Sequence, residues 1–210
     1  MRTLYHQMLD PSCRAIRIML GEKRLECALL ESDAEQDLPV LAEENDLVTI
    51  SDTHVITEYL NEAYPEPDLL GYDALLRVDV RRIGYYFADS VKATVTQPLL
   101  QHRLYGHLHG TAASPHAIAS AKVALRDFLD FIATLDDNNN WLAGPSFSLA
   151  DVFAAANIAT LDYIGAIEWS EHLAVQRWYR RVKSRRSLND ILADRIDGME
   201  PPAQYSDPDF

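Results

Sequence analysis

The stretch from Trp141 to Gly165 constrains the fold more than any other part of the chain. It reads Trp-Leu-Ala-Gly, Pro-Ser-Phe, Ser-Leu-Ala-Asp and then an alanine-rich apolar run. Ser148 and Asp151 have the spacing of a capping box, in which the hydroxyl takes a free amide of the first turn and the carboxylate reaches back to the Ser148 amide. Behind them come Val152, Phe153, Ala154, Ala155, Ala156, Ile158, Ala159, Leu161, Tyr163 and Ile164, with Asp162 the one charge, and Gly165 stands where a helix ends. A helix that is apolar on nearly every side belongs inside a core. Its alanines let neighbours approach closely. The stretch therefore predicts a central helix over 148–164 in an all-helical domain.

Helical patterns also run over about 73–108, 114–136, 171–184 and 188–194, whereas the first 64 residues read differently. Leu4, Tyr5, Met8 and Leu9 suggest a short strand. Asp10-Pro11 then breaks the chain and sets Pro11 in the first turn of a helix over 11–22, with Ile16, Met19 and Leu20 inward and Arg14 and Arg17 on the other side. Cys27–Leu30 reads as a second strand, and Leu38–Leu41 and Leu47–Ile50 read as a hairpin. Ser51-Asp52-Thr53 offers a cap for a helix over 54–64 that stops at Pro65. This order is a shortened thioredoxin-like unit whose second helix is reduced or missing. The expected fold class is α+β: a thioredoxin-like domain over 1–64, a linker over 65–72, an all-helical domain over 73–197 and an extended acidic tail over 198–210.

Composition narrows the function. The chain carries a net charge of −13, against the basic surface that a general nucleic-acid binder or an anionic membrane would require. Residues 1–68 hold 5 Lys+Arg against 15 Asp+Glu, so the acidity is concentrated there. Cys13 and Cys27 lack both disulfide-framework and metal-ligand spacing. No apolar run reaches the roughly 18 residues of a membrane span, and the N-terminus lacks the blocks of a signal peptide. The expectation is a cytoplasmic protein with no nucleic-acid partner and no membrane insertion. His102, His107 and His109 lie close in sequence, but no Cys or acidic ligand joins them at metal spacing, so no metal is expected. Arg177, Arg180, Arg181, Lys183, Arg185 and Arg186 form a basic run that reads either as a solvated face paired with acids or as a docking surface for an acidic peptide.

Taken together, Asp10–Leu20, Leu38–Leu41, Asp52–Leu60, 141–153 and 178–185 resemble the glutathione S-transferase fold family over nearly the whole length. Leu69–Gly84, Val95–Leu100, Leu161–Gly165, Leu192–Ile196, Pro201-Pro202 and Tyr205–Phe210 are similar to one branch of it, the transferase-like division factors of alphaproteobacteria. The family resemblance implies a glutathione-site-like set made of Asp10, Leu38, Pro39, Asp52 and Thr53. Pro39 falls at the family's cis-proline, and Thr53 with the amides of its helix would hold a carboxylate. Asp52 or Thr53 reads equally as a plain helix cap.

Two departures point away from catalysis. Many family members place Ser or Cys at the position of Asp10, and an anion beside a forming thiolate opposes ionisation. Ser12, Cys13 and Tyr5 are the alternative thiol activators; Cys13 reads also as a buried structural thiol and Tyr5 as a core aromatic. The gap between Cys27 and Leu38 omits the irregular helix that closes one wall of the family's site. No catalytic residue is therefore expected, and glutathione, the family's cofactor, is expected to bind weakly if at all. The resemblance implies a homodimer at the division site that binds the filament protein FtsZ. Tyr205 and Phe210 would be anchors, with Ser206, Asp207 and Asp209 beside them. The alternative is a glutathione S-transferase with conjugating or reducing activity.

Overall fold

The computed structural model describes residues 1–32, 38–43, 47–108, 114–207 and 209–210, and of residues 105–108 the backbone alone. Strand β1 (Thr3–His6) runs parallel to β2 (Ala28–Glu31) and antiparallel to β3 (Val40–Glu43), which pairs antiparallel with β4 (Val48–Ser51), giving the order β2-β1-β3-β4. Leu4 faces Leu41 across the central pair, and both are fully buried. The edge strands β2 and β4 are largely exposed. The hairpin strands begin one to two residues later than the sequence pattern predicts. Leu38-Pro39 precedes β3 as a cis peptide, and a proline has no amide to give a ladder. The expected loss of the second helix falls mostly on residues 33–37, outside the described residues.

Helix α1 (Pro11–Glu22) packs against α6 (Leu149–Tyr163), and α2 (Thr53–Ala63) packs against α1. The bounds of α1 match the sequence reading. Its two arginines do not, because Arg14 and Arg17 are buried rather than outward. Both point at Asp194: Arg14 at 3.0 Å, and Arg17 through both terminal nitrogens at 2.9 and 2.8 Å. The predicted helix over 73–108 is three consecutive pieces. These are α3 (Ala74–Tyr85), a π-helical segment (Tyr86–Thr96) and α4 (Gln97–Leu108). Then follow α5 (Pro115–Asn138), α6, α7 (Leu173–Lys183) and the short α8 (Asn189–Leu192). No helix among the described residues is long and apolar enough to cross a membrane.

Helix α6 is the buried pillar that its sequence predicts. All its residues are buried, and Gly165 ends it at φ +66°, a conformation in which a side chain would be strained. Its capping box is present, with the Asp151 carboxylate accepting from both the amide and the hydroxyl of Ser148, at 3.1 and 3.2 Å. The same carboxylate accepts from the Leu142 amide and the Trp178 indole, each at 3.1 Å. Burial pushes Asp151 up to about 6, and these four donors limit the rise. Farther along, Asn157 bonds the carbonyl of Phe87, Thr160 donates to the carbonyl of Leu9, and Asp162 accepts from the Trp169 indole. One apolar helix thus fixes five separate loops and segments by its few polar atoms.

The tail is not the extended segment that its prolines predict. Residues 203–206 form a 3-10 turn, and Tyr205 is fully buried. Its hydroxyl receives a hydrogen bond from Arg14 at 3.0 Å and donates to the Ile191 carbonyl at 2.5 Å, while its ring meets Tyr163 edge-on. Lys183 donates to the carbonyls of Gln204 and Asp207, and Phe210 rests against Trp169. The basic run along and just past α7 is largely paired within the chain. Arg180 bonds the Asp209 carbonyl, Arg181 bonds Asp136, and Arg185 makes two bonds to Glu22.

Candidate functional site

A cleft of about 480 Å³ opens between the two halves of the molecule, where the N-termini of α1 and α2 face the π-helical segment. Three elements supply its polar groups. Helix α1 starts at Pro11, and Asp10 caps it by accepting the Cys13 amide at 3.0 Å. The other oxygen of Asp10 meets Lys92 Nζ at 2.9 Å, and the same ammonium donates to Ser12 Oγ at 2.7 Å. Across the cleft, His54 Nε2 lies 2.8 Å from the Asp89 carboxylate, and its ring sits edge-on to Tyr85.

This arrangement changes the electrostatics expected from sequence. Asp10 stands at the start of α1 as predicted, but it is not a free anion. Lys92 cancels its charge and also contacts Ser12, so the carboxylate alone does not decide whether a thiol could ionise nearby. The sequence offered no signal for Lys92, which lies 80 positions from Ser12. His54 and Asp89 were likewise missed, because their pairing depends on how the helical half sits against α2.

Cys13 is fully buried and accepts a hydrogen bond from the Gln7 amide. Burial, with Asp10 adding to it, pushes its thiol well above the ordinary range. This burial matches the structural-thiol reading of the two. Tyr5 lies on the opposite face of its strand from the buried Leu4 and His6 and does not line the cleft. Ser12 alone among the three alternatives reaches it. Cys27, half-buried, is pushed up to about 11 by burial.

At the far end of the cleft, Asp52 has φ +73°, which is rare for a residue with a side chain. Such strain persists only where surrounding structure fixes it, and functional sites are where it collects. Here the Asp52 carboxylate accepts from the amides of His54 and Val55, at 2.8 and 3.1 Å. Those are the amides that would otherwise greet a ligand carboxylate, so the chain supplies its own anion. Leu38 and Pro39 join through the cis peptide, but neither lines this cleft.

A second cleft of about 500 Å³ lies beyond Asp10, walled by Met8, Leu9, Leu100, Leu104, Ile196 and Arg195 among others. The buried His6 faces it with Nδ1 unbonded among the described groups. Of the histidines singled out for a metal, His109 and the side chain of His107 lie outside the described residues. Among the described residues no group of three metal-binding side chains occurs. Of the tail residues proposed as anchors, Tyr205 is in the core and cannot meet a partner without unfolding. Ser206, Asp207 and Asp209 are exposed, and Phe210 is half-buried.

No family model matches the chain. It is 35% identical over 224 residues to FtsZ-localized protein A of Caulobacter vibrioides (strain NA1000 / CB15N), spanning 100% of this chain and 98% of that protein. Among solved structures it is similar to FzlA from C. crescentus, with a TM-score of 0.92 at 35% identity, covering 100% of this chain and 99% of that one. It is similar as well to a glutathione S-transferase from Rhodospirillum rubrum F11, with a TM-score of 0.94 at 36% identity over 100% of both chains. A glutathione S-transferase from Sinorhizobium meliloti 1021 gives a TM-score of 0.91 at 31% identity, again over 100% of both chains.

Proposed function

The chain belongs to the family of FtsZ-localized protein A and carries the glutathione S-transferase fold, and from that premise we propose that it is a non-catalytic, cytoplasmic division protein that binds FtsZ at the division site and organises its filaments. The observation that carries the reading is the likeness to FtsZ-localized protein A along the whole length of the chain, tail included. The cleft supports it. The start of α2 is capped by Asp52, Cys13 is sealed in the core, and Lys92 is held by Asp10 and Ser12. A tripeptide would have to displace these internal pairs before it gained any contact of its own, so little or no glutathione binding is expected.

Docking would use the accessible part of the tail. Asp207 and Asp209 are placed to steer, and Phe210 can present an aromatic edge; such anchors usually carry more binding free energy than rim charges. A homodimer is part of the same proposal. Tyr72, Leu75 and Val78 leave about 80%, 80% and 60% of their surface in water around the start of α3, and Leu47 and Val55 are exposed on the sheet half. An apolar face of this kind marks an interface, and two-fold closure would cover it. Leu75→Glu is expected to shift the sedimentation coefficient from dimer to monomer; an unchanged dimer would place the interface elsewhere.

Co-sedimentation with polymerised FtsZ tests the main reading. Wild-type protein is expected in the pellet, and Phe210→Ala is expected to leave most of it in the supernatant. The alternative, a glutathione S-transferase, has one observation in its favour: Ser12 is the activator candidate that reaches the cleft, and Lys92 stands against its hydroxyl. Conjugation of a chloronitrobenzene substrate that is lost in Ser12→Ala would favour that reading.

A further inference from the structure

Eleven consecutive residues, Tyr86–Thr96, follow the π-helical pattern, in which each carbonyl accepts from the amide five residues on. At its end the Gln97 amide bonds the Lys92 carbonyl in that register. Such helices are normally a single turn long, so a run of this length requires support from outside itself. One residue supplies much of it. Asn157, from the middle of α6 and almost fully buried, donates from Nδ2 to the carbonyl of Phe87 at 3.1 Å and to Phe153 of its own helix at 2.9 Å. Its Oδ1 accepts from the Thr96 hydroxyl at 2.6 Å. Asn157 therefore clasps the π segment near its first residue and at its last. The contrast with Thr94 is informative, since that hydroxyl takes the ordinary route to the carbonyl four residues back, Ser90, at 2.7 Å.

The segment supplies one wall of the first cleft through Ala88, Asp89, Lys92 and Ala93, with Gln97 next in line. Its register decides where these side chains point. A return to the α pattern would move the hydrogen bonds by one residue and turn the later positions by roughly 100° about the helix axis. Lys92 could not then keep its 2.9 Å contact with Asp10, nor Asp89 its 2.8 Å contact with His54. We propose that Asn157 is a positioning residue: by holding the Phe87 carbonyl and the Thr96 hydroxyl it keeps residues 86–96 in the π register and so aims Asp89 and Lys92 into the cleft. The inference does not depend on whether the cleft serves a ligand or a partner, because it concerns how its charges are placed.

Lysine acetylation in the full-length folded protein, quantified by mass spectrometry, reads the position of Lys92, and exposed Lys122 on α5 serves as the internal reference. In Asn157→Leu the Lys92 rate is expected to rise on the order of fivefold over wild type as its contacts open locally, with Lys122 unchanged. Thr96→Val, which removes only the hydroxyl, is expected to move Lys92 in the same direction by a smaller factor and stands in if Asn157→Leu does not fold. A Lys92 rate that stays at the wild-type value in a folded variant overturns the proposal. So does a rise shared equally by Lys92 and Lys122, which is what general loosening would give. A crystal structure of either variant in which residues 86–96 keep the π register and Lys92 keeps Asp10 would overturn it as well.

Discussion

The polar groups of helix α6 and those of the cleft beside it are handled in opposite ways. On α6, Asp151, Asn157 and Thr160 bond chiefly to backbone groups and indole N–H, each tying a loop or helix to the pillar. In the cleft, Lys92 bonds both Asp10 and Ser12, and His54 bonds Asp89. A buried side chain matched to backbone has no other partner to take and is costly to remove, whereas partly exposed charges committed to each other occupy the cleft but add little to the stability of the fold. The first region is therefore structural, and the second is where the molecule can tolerate change.

The comparison breaks if α6 proves tolerant. Asp151→Ala strands the Leu142 and Ser148 amides and the Trp178 indole, and should cost roughly 3–5 kcal/mol in urea denaturation. Tyr205→Ala should cost about 3–4 kcal/mol, since it empties a fully buried aromatic site and takes one hydrogen-bond partner from Arg14. Phe210→Ala, five residues on, should cost under about 1 kcal/mol while weakening FtsZ binding. Equal effects of the two on stability would mean that the tail does not divide into a buried latch and an accessible end.

A pH series sharpens the same contrast. Asp151 holds its proton more tightly in the folded chain, at about 6, than at its ordinary value of 3.8, so its contribution to stability falls as pH rises across that window. Wild type should lose roughly 1–3 kcal/mol relative to Asp151→Asn between about pH 4 and pH 6. Parallel curves would show that the carboxylate is not held up by burial. Least of all, Lys92→Met should change stability by less than about 1 kcal/mol, since thermal melting reads only the loss of a partly exposed ion pair at the cleft.

The sequence reveals these regions unequally, for the same reason. Periodicity, the Ser148–Asp151 spacing and Gly165 are local signals, and α6 and α1 follow from them almost to the residue. Asp52 was also legible, because a capping position sits at a fixed offset from the helix start, while Asp10 and Pro39 were placed by the family resemblance. Lys92 and His54 were not, since their meaning arises only when the segments carrying them are packed together. Nor was the π register: Tyr86–Thr96 has the composition of an ordinary helix, and the residue that clasps it lies 61 positions from Thr96. Arg14 and Arg17 were placed outward because charge alone suggests it, and Asp194, their buried partner, lies near the other end of the chain.

Calorimetric titration of the full-length protein with reduced glutathione tests most directly whether the cleft's groups are committed to each other. No saturable heat at millimolar tripeptide is the result expected. Micromolar binding at one site per chain that disappears in Thr53→Ala would contradict it, and with it the reading of this protein as a docking factor without thiol chemistry.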